Sequence, residues 1–267
     1  MGWSDGELKT TEDKKEPQPV LPSPSSFSFD FTEDKGTGKE VYAIYGDKGD
    51  GKTTLSFSFP GTITVLSFDN KATIVKNNFY NGDNRIRIFN VLKYLEKTPD
   101  KYFDTSETTY NYIMALLDKV KNESDWILFD CAEEMTVICE MIMRKRNNIK
   151  LFGGITNQNV WKERNMLIDS IHKKALNYCK KGLIYTLYIK KDEIIEEGQV
   201  VTKKDVPKWT GAILLESDFV IRAELQYDKE LGKQCFARIW SSKNDKKLKT
   251  GSIINVTDFK NKLFKEE

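Results

Sequence analysis

Residues 41–54 read VYAIYGDKGDGKTT, an apolar run followed by a glycine-rich loop and then by lysine and threonine. The apolar run contains the β-branched and aromatic residues typical of a buried strand. The segment that begins at Lys52 is stopped by Pro60, which predicts a short helix over 52–59. Residues 46–53 fit the pattern GxxxxGK[ST] at the point where the strand passes into the helix. The stretch therefore predicts a strand, a phosphate-binding loop (P-loop) and a helix in succession.

This loop has the residue types that bind the phosphates of a nucleotide. Its glycines allow backbone N–H groups to surround phosphate oxygens at the helix N-terminus. Lys52 can reach the β- and γ-phosphates and is a catalytic candidate, and the hydroxyl of Thr53 can bind Mg²⁺. We therefore expect a site for ATP and Mg²⁺ formed by consecutive residues: Gly46, Asp47, Lys48, Gly49, Asp50, Gly51, Lys52, Thr53 and Thr54.

Acidic residues after two other predicted strands complete the expected site. Trp126–Asp130 is four apolar residues followed by aspartate, and an acid at the end of a buried strand can hold Mg²⁺ through water. Asp130 and Thr53 are thus the predicted metal ligands. Asp69 and Glu133 are candidates to activate water, because the carboxyl ends of parallel strands meet at one sheet edge. For Glu133, a place in the first turn of the next helix is an equally good explanation.

The remaining pattern alternates strands with helices. This alternation predicts an α/β fold with a mainly parallel central sheet, helices on both faces and antiparallel late strands. Asp104 and Glu107 are spaced as a capping box that would open one helix. Further helices are predicted over 132–147 and up to about residue 180. The predicted strands cover 41–45, 62–68, 85–89, 126–130, 183–189, 219–225 and 234–241.

Residues 1–38 differ from the rest of the chain. Residues 1–40 hold four of the seven prolines, many serines, and five lysines against nine acidic residues. Such a segment buries too little apolar surface to offset its ordering entropy, so we expect a disordered acidic tail and a domain over 39–267. Phe27, Phe29 and Phe31 fit an edge strand, an arm that docks on a neighbouring subunit, or a weakly ordered tail.

Composition excludes several classes of protein. The net charge of +2 excludes whole-chain electrostatics as a reason to bind nucleic acid or a membrane. The N-terminus lacks an apolar h-region, and no apolar run approaches the length of a bilayer span, so we expect a cytoplasmic protein without a membrane partner. The four cysteines contain no CxxC pair, which predicts reduced packing residues and neither zinc nor disulfides. The single histidine, His172, is expected at the surface or half-buried.

The order of these segments resembles that of the RecA-like ATPase core. The matching order is the P-loop strand, 62–69, the Asp130 strand, 183–189 and then GAILLESDFVIR at 211–222. The chain looks closest to the phage and archaeal mobile-element branch of RecA-like, AAA-type nucleotide-binding proteins, which is associated with single-strand annealing and recombination. The resemblance covers about residues 40–250, and its specific motifs are the P-loop and the Asp130 strand. It implies a RecA-like P-loop NTPase that hydrolyses ATP as a homo-oligomer and acts on DNA in recombination, annealing or replication.

Two further site assignments follow from this resemblance. RecA-like proteins carry D-x-E after the second strand, whereas this chain has Asp69-Asn70-Lys71. Either Asp69 or Glu133 then substitutes for the glutamate, or hydrolysis is slow. The family also supplies cations to a neighbour's γ-phosphate from K-x-K at a late strand end, which Lys243 and Lys246 resemble. The alternative for these two lysines is a solvated basic turn.

Binding of single-stranded DNA has a local signal in the polar segment 190–206. It follows a predicted strand at the place where RecA-like proteins put a DNA-facing loop. Lys203, Lys204, Lys208 and Trp209 combine cations with an aromatic ring that can stack on bases. Five acidic residues in the same segment favour a hairpin of mixed charge instead.

Two alternative functions stay open. A nucleotide switch or scaffold that hydrolyses slowly or not at all is favoured by Lys71. A small-molecule P-loop kinase is also possible, although the chain has no arginine-rich lid segment.

Overall fold

The computed structural model describes residues 38–196, 199–208, 216–228 and 232–256, with only the backbone at 193–196, 199–204, 227–228 and 232–233. Except for Gly38, the tail predicted over residues 1–38 lies outside the described residues, together with its three phenylalanines. Trp209 and residues 211–215 lie outside them as well.

Strands and helices alternate along the first two thirds of the described chain. The helices are α1 (Lys52–Phe57), α2 (Ala72–Tyr80), α3 (Tyr102–Lys119), α4 (Glu133–Arg146) and α5 (Val160–Tyr178), with a 3₁₀ turn at Val91–Tyr94. The strands are β1 (Glu40–Gly46), β2 (Ile63–Ser67), β3 (Ile86–Asn90), β4 (Trp126–Asp130), β5 (Gly182–Glu196), β6 (Gln199–Pro207), β7 (Phe219–Asp228), β8 (Gly232–Ser242) and β9 (Ile253–Asn255).

The central sheet has the order β3-β2-β4-β5-β1-β7-β8-β9, and β6 pairs with β5. The six strands β3, β2, β4, β5, β1 and β7 are parallel to one another, whereas β8 and β9 are antiparallel to their neighbours. The α/β class, the mainly parallel sheet and the antiparallel late strands are therefore confirmed. No helix among the described residues is long and apolar enough to cross a bilayer.

Two apolar cores lie on opposite faces of the sheet. Alternate residues of β1 supply both: Ala43 and Tyr45 pack with α3, α4 and α5, whereas Tyr42 and Ile44 pack with α1. This two-sided burial explains why the parallel strands read as continuous apolar runs. Helices lie on both faces of the sheet, as predicted. Because they cover these faces, a ligand can reach the sheet at the ends of its strands.

The polar segment 190–206 forms an antiparallel strand pair where the structure describes it, and we call residues 189–196 and 199–207 the arm. β5 continues past the end of β1 and pairs with β6. The register sets Asp192 opposite Lys204 and Glu193 opposite Lys203. Opposite charges directly across antiparallel strands are favourable, so the mixed charge of this segment suits a hairpin.

Two local predictions are wrong. Asp104 does not cap a helix, because α3 begins at Tyr102 and the Asp104 and Glu107 carboxylates instead pair with Lys145 at 2.8 and 2.6 Å. His172 is buried, with 2% of its side chain exposed.

The burial of His172 is possible because both ring nitrogens have partners. Nδ1 lies 2.7 Å from the hydroxyl of Tyr185, and Nε2 lies 2.8 Å from a carboxylate oxygen of Glu216. A buried polar side chain with satisfied hydrogen bonds avoids most of the desolvation penalty.

Candidate functional site

The carboxyl ends of β1, β2 and β4 meet at one edge of the sheet, and a cavity of about 540 Å³ opens there. The predicted residues that line it are Lys48, Gly49, Gly51, Lys52, Thr53, Thr54, Asp69 and Asp130. It is also lined by Lys71, Val75, Phe79, Cys131, Thr186, Tyr188, Leu225 and Cys235. The predicted residues outside this lining are Gly46, Asp47, Asp50, Glu133, Lys243 and Lys246.

The glycine-rich loop is built tightly against β7 and β8. Gly51 precedes α1 with a φ of 82°, in the left-handed region that favours glycine. A Cβ there would lie 2.6 Å from the Sγ of Cys235. A Cβ at Gly46 would lie 2.8 Å from the carbonyl oxygen of Ala223. Both positions therefore require glycine for steric reasons as well as for the backbone turn at residue 51.

Lys52 is a buried ammonium inside this loop. Its Nζ donates to the carbonyl oxygens of Gly46 (3.0 Å) and Asp47 (2.8 Å) and lies 4.5 Å from the ring centroid of Tyr188. Burial lowers the pKa of Lys52, although nearby acidic groups oppose the shift. An anionic group that enters the cavity would give this ammonium a stronger partner than the neutral carbonyls.

Asp130 is held between two threonine hydroxyls. Its Oδ1 accepts hydrogen bonds from Thr186 (2.7 Å) and Thr53 (3.0 Å). Its Oδ2 is buried and has no hydrogen-bond partner in the described structure. Burial raises the pKa of Asp130 to about 6, Asp69 adds to the shift, and the threonine hydrogen bonds oppose it. The buried carboxylate is thus short of one strong partner.

These donors fit a magnesium ion. A hydroxyl and a carboxylate are hard oxygen ligands, Asp130 lines the cavity, and its Oδ2 has no hydrogen-bond partner among the described residues. No cluster of three or more His, Cys, Asp or Glu residues in the described part of the chain could hold a metal by itself. Mg²⁺ keeps several waters and commonly binds with substrate phosphates. Thr53 and Asp130 could therefore hold it together with phosphate oxygens and water.

The two water-activating candidates lie in different environments. Asp69 lines the cavity, and its Oδ1 accepts a hydrogen bond from the Lys71 N–H at 2.9 Å. Glu133 lies at the start of α4, where its Oε1 accepts a hydrogen bond from the Tyr188 N–H. Burial raises the pKa of Glu133. Of these two carboxylates, Asp69 alone lines the space a substrate can occupy.

Part of the cavity lining is apolar. Phe79 on α2 is 67% exposed and Leu225 on β7 is 39% exposed, and both line the cavity with Val75. Large apolar side chains left open to solvent at a cavity often mark a binding surface. The lining therefore combines charged groups, such as Lys52 and Asp130, with exposed apolar side chains, such as Phe79.

Lys243 and Lys246 lie away from this cavity. Ser242 pairs with Phe219, which in turn pairs with Tyr42 near the start of β1, whereas the loop follows the end of β1. Lys243 therefore lies at the amino ends of the parallel strands, opposite the carboxyl ends that border the cavity. Its Nζ is 3.4 Å from a carboxylate oxygen of Asp218. Neither lysine can reach the cavity of its own chain.

Sequence reasoning missed Thr186 and Tyr188, although one signal pointed to them. Both lie near the end of the predicted strand 183–189, and the argument applied to Asp130 holds for any polar residue near the end of a parallel strand. Cys235 had no such signal, because its contact with Gly51 joins positions far apart in the chain.

No protein-family model matches the sequence, and no curated protein matches it significantly.

Proposed function

We propose that this protein binds Mg·ATP in the cavity and hydrolyses it as a RecA-like P-loop ATPase. The observation that carries the proposal is the placement of Asp130 beside the consecutive loop residues Lys52 and Thr53, although Asp130 lies 77 positions after Thr53 in the chain. Thr53 and Asp130 are bonded at 3.0 Å, and Lys52 is buried at the same cavity.

Each residue has a role in this proposal. Lys52 exchanges the carbonyl oxygens of Gly46 and Asp47 for β- and γ-phosphate oxygens. Thr53 and Asp130 would hold Mg²⁺, Asp130 through water, and the ion would supply charge neutralisation at the phosphate oxygens. Asp69 orients and deprotonates the attacking water, because it lines the cavity and Glu133 does not.

The apolar part of the cavity lining supports a nucleotide over a simple phosphate. A base can stack on an exposed aromatic ring, and Phe79 offers one in this lining. The phosphates then lie against the glycine-rich loop.

The test of this proposal is ATP binding and hydrolysis by the purified protein and by Lys52→Ala. The control is Lys119→Ala, an exposed lysine at the end of α3 that removes the same charge. We expect Lys52→Ala to abolish binding or turnover and the control to match the wild type. Equal affinity and rate in Lys52→Ala and the wild type would refute the assignment of the cavity.

A slow nucleotide switch is the second candidate function. It is favoured by Lys71, which stands where the resemblance expects a glutamate, and by the hydrogen bond that engages Glu133. Asp69→Asn separates the two: it eliminates turnover with binding intact if Asp69 activates water. A wild-type protein that binds ATP without measurable turnover would favour the switch.

We further propose that the active form is a homo-oligomer in which Lys243 and Lys246 of one copy complete the site of another. The support is their position at the opposite sheet edge, from which a cation can serve only a second chain. Turnover per chain should then rise with protein concentration, and Lys243→Ala should lower turnover at nearly unchanged ATP affinity. A concentration-independent rate would exclude this arrangement.

Action on single-stranded DNA rests on the resemblance and on the position of the arm next to the cavity. The cross-strand pairing of Asp192 and Glu193 with lysines weakens the electrostatic case for the arm itself. The assay is ATPase activity with and without single-stranded DNA, and a mobility shift at low salt. No stimulation and no shift would remove the DNA role.

A further inference from the structure

Lys71 is a cavity lysine for which the proposed roles leave no function. It follows β2, forms the N-cap position of α2 and lines the same cavity as Lys52 and Asp130. Its side chain is exposed, and within the described residues its ammonium makes no hydrogen bond or ion pair. An unpaired cation that faces a cavity is available for an anionic ligand.

The backbone at Lys71 is fixed while its side chain is free. The N–H donates to Oδ1 of Asp69 at 2.9 Å, and the carbonyl accepts from Ile74 at 3.0 Å and Val75 at 3.3 Å. The positive end of the α2 dipole lies at the same place. A long flexible stem on a rigid base lets the ammonium reach a ligand without rearrangement of the chain.

The register of the sheet relates Lys71 to the residues that would hold Mg²⁺. Thr53 and Asp130, which are hydrogen-bonded to each other, would hold the ion beside the β- and γ-phosphates. Asp130 is paired with Ser67 on the neighbouring strand β2, and Lys71 follows β2 by four positions. With Mg²⁺ held there, the terminal phosphate would lie on the side of the cavity that Lys71 borders.

Charge balance at this end also calls for a further cation. A terminal phosphate brings roughly two negative charges at pH 7 next to the carboxylates of Asp69 and Asp130. Lys52 and Mg²⁺ offset part of this charge. A second ammonium on the terminal phosphate would offset the rest and would touch nothing in a diphosphate.

We propose that Lys71 is a ligand of the terminal phosphate supplied by the same chain, which makes the site select nucleoside triphosphates over diphosphates. This inference rests on the proposed function and adds its specificity. This role would explain why lysine, rather than the glutamate that the resemblance expects, stands two positions after Asp69.

The experiment measures dissociation constants for ATP and ADP with Mg²⁺ in the wild type, Lys71→Met, Lys71→Arg and the charge-matched control Lys119→Met. We expect Lys71→Met to weaken ATP binding about tenfold, the lower range for a charged hydrogen bond, and ADP binding less than about twofold. Lys71→Arg should retain most of the ATP preference, and the control should match the wild type.

The outcomes separate the two proposals. If the wild type binds neither nucleotide, the proposed function fails. If it binds ATP and Lys71→Met binds ATP equally well, or loses ATP and ADP affinity to the same extent, the role of Lys71 is refuted and the ATP site stands. The far-ultraviolet circular dichroism of each variant verifies its fold, and an exposed side chain at residue 71 gives no reason for misfolding.

Discussion

The contact between Gly51 and Cys235 allows a quantitative test of how the loop is built. Gly51→Ala places a residue with a Cβ at a φ of 82°, and its Cβ would lie 2.6 Å from the Sγ of Cys235. The left-handed conformation costs about 1–2 kcal/mol for a non-glycine residue. Overpacking adds about 1–3 kcal/mol. We therefore expect Gly51→Ala to lower the free energy of unfolding by about 2–5 kcal/mol.

A double-mutant cycle with Cys235→Ala separates the two costs. Without the sulfur, the nearest atom to the new Cβ is the Cβ of Cys235 at 3.5 Å, an ordinary contact. The double mutant should then be more stable than the sum of the single effects predicts, by about 1–3 kcal/mol.

Gly49→Ala is the matched control for this cycle. Gly49 has a φ of 97°, and a Cβ there meets nothing within 4 Å. Gly49→Ala should lower the free energy of unfolding only by the cost of the left-handed backbone conformation, and it should show no coupling to Cys235→Ala. Urea unfolding of the ligand-free protein gives the four free energies of each cycle. Coupling below about 0.5 kcal/mol between Gly51→Ala and Cys235→Ala would refute the close approach of β8 to the loop.

Three further predictions concern the site and the buried histidine. Thr186→Val removes the donor to Asp130 at 2.7 Å and should cost about 1–3 kcal/mol in urea unfolding, whereas an unchanged stability would contradict that hydrogen bond. Phe79→Ala should weaken ATP binding by roughly 1–3 kcal/mol and leave binding of inorganic triphosphate unchanged, and equal ATP affinity would exclude base stacking. Burial lowers the pKa of His172 in the folded protein. Below about pH 7 the unfolded chain therefore binds a proton at this residue more readily than the folded protein does, and the free energy of unfolding falls on acidification. His172→Gln should lose this component of the pH dependence between pH 8 and 5.5, and identical curves for both proteins would contradict it.

The buried strands were predictable because each one carries its signal in a short apolar run. Trp126–Asp130 is predicted and observed with the same limits, since both of its faces are covered and every position but the last is apolar. Helix α2 has no comparable signal: Ala72 is its only buried residue, and Ile74 and Phe79 are exposed. Val75 and Phe79 of this helix line the cavity, so its sequence lacks the regular apolar stripe of a helix packed on a core.

Part of the site was predictable for a similar reason. The glycine-rich loop is continuous in sequence, and Asp130 ends a strand that is recognisable by itself. Tyr188 and Cys235 reach the loop through sheet pairing, and a sequence does not state which strands become neighbours. The buried His172 is a related case. It lies on α5, whereas Glu216, the partner of its Nε2, lies 44 positions later and just before β7.

Opposite pKa shifts at the cavity have a single physical cause. Burial disfavours the charged form of each group, so it lowers the pKa of Lys52 and raises that of Asp130 to about 6. Lys52 donates to two neutral carbonyl oxygens, and one oxygen of Asp130 has no hydrogen-bond partner within the part of the chain that the structure describes. A ligand of one sign would relieve one group and oppose the other. Magnesium triphosphate carries both signs, so Lys52 can face phosphate oxygens while Asp130 faces the cation. The complex would then offset the unfavourable free energy of burying both charged groups. We therefore expect the complex to bind more tightly than either component alone.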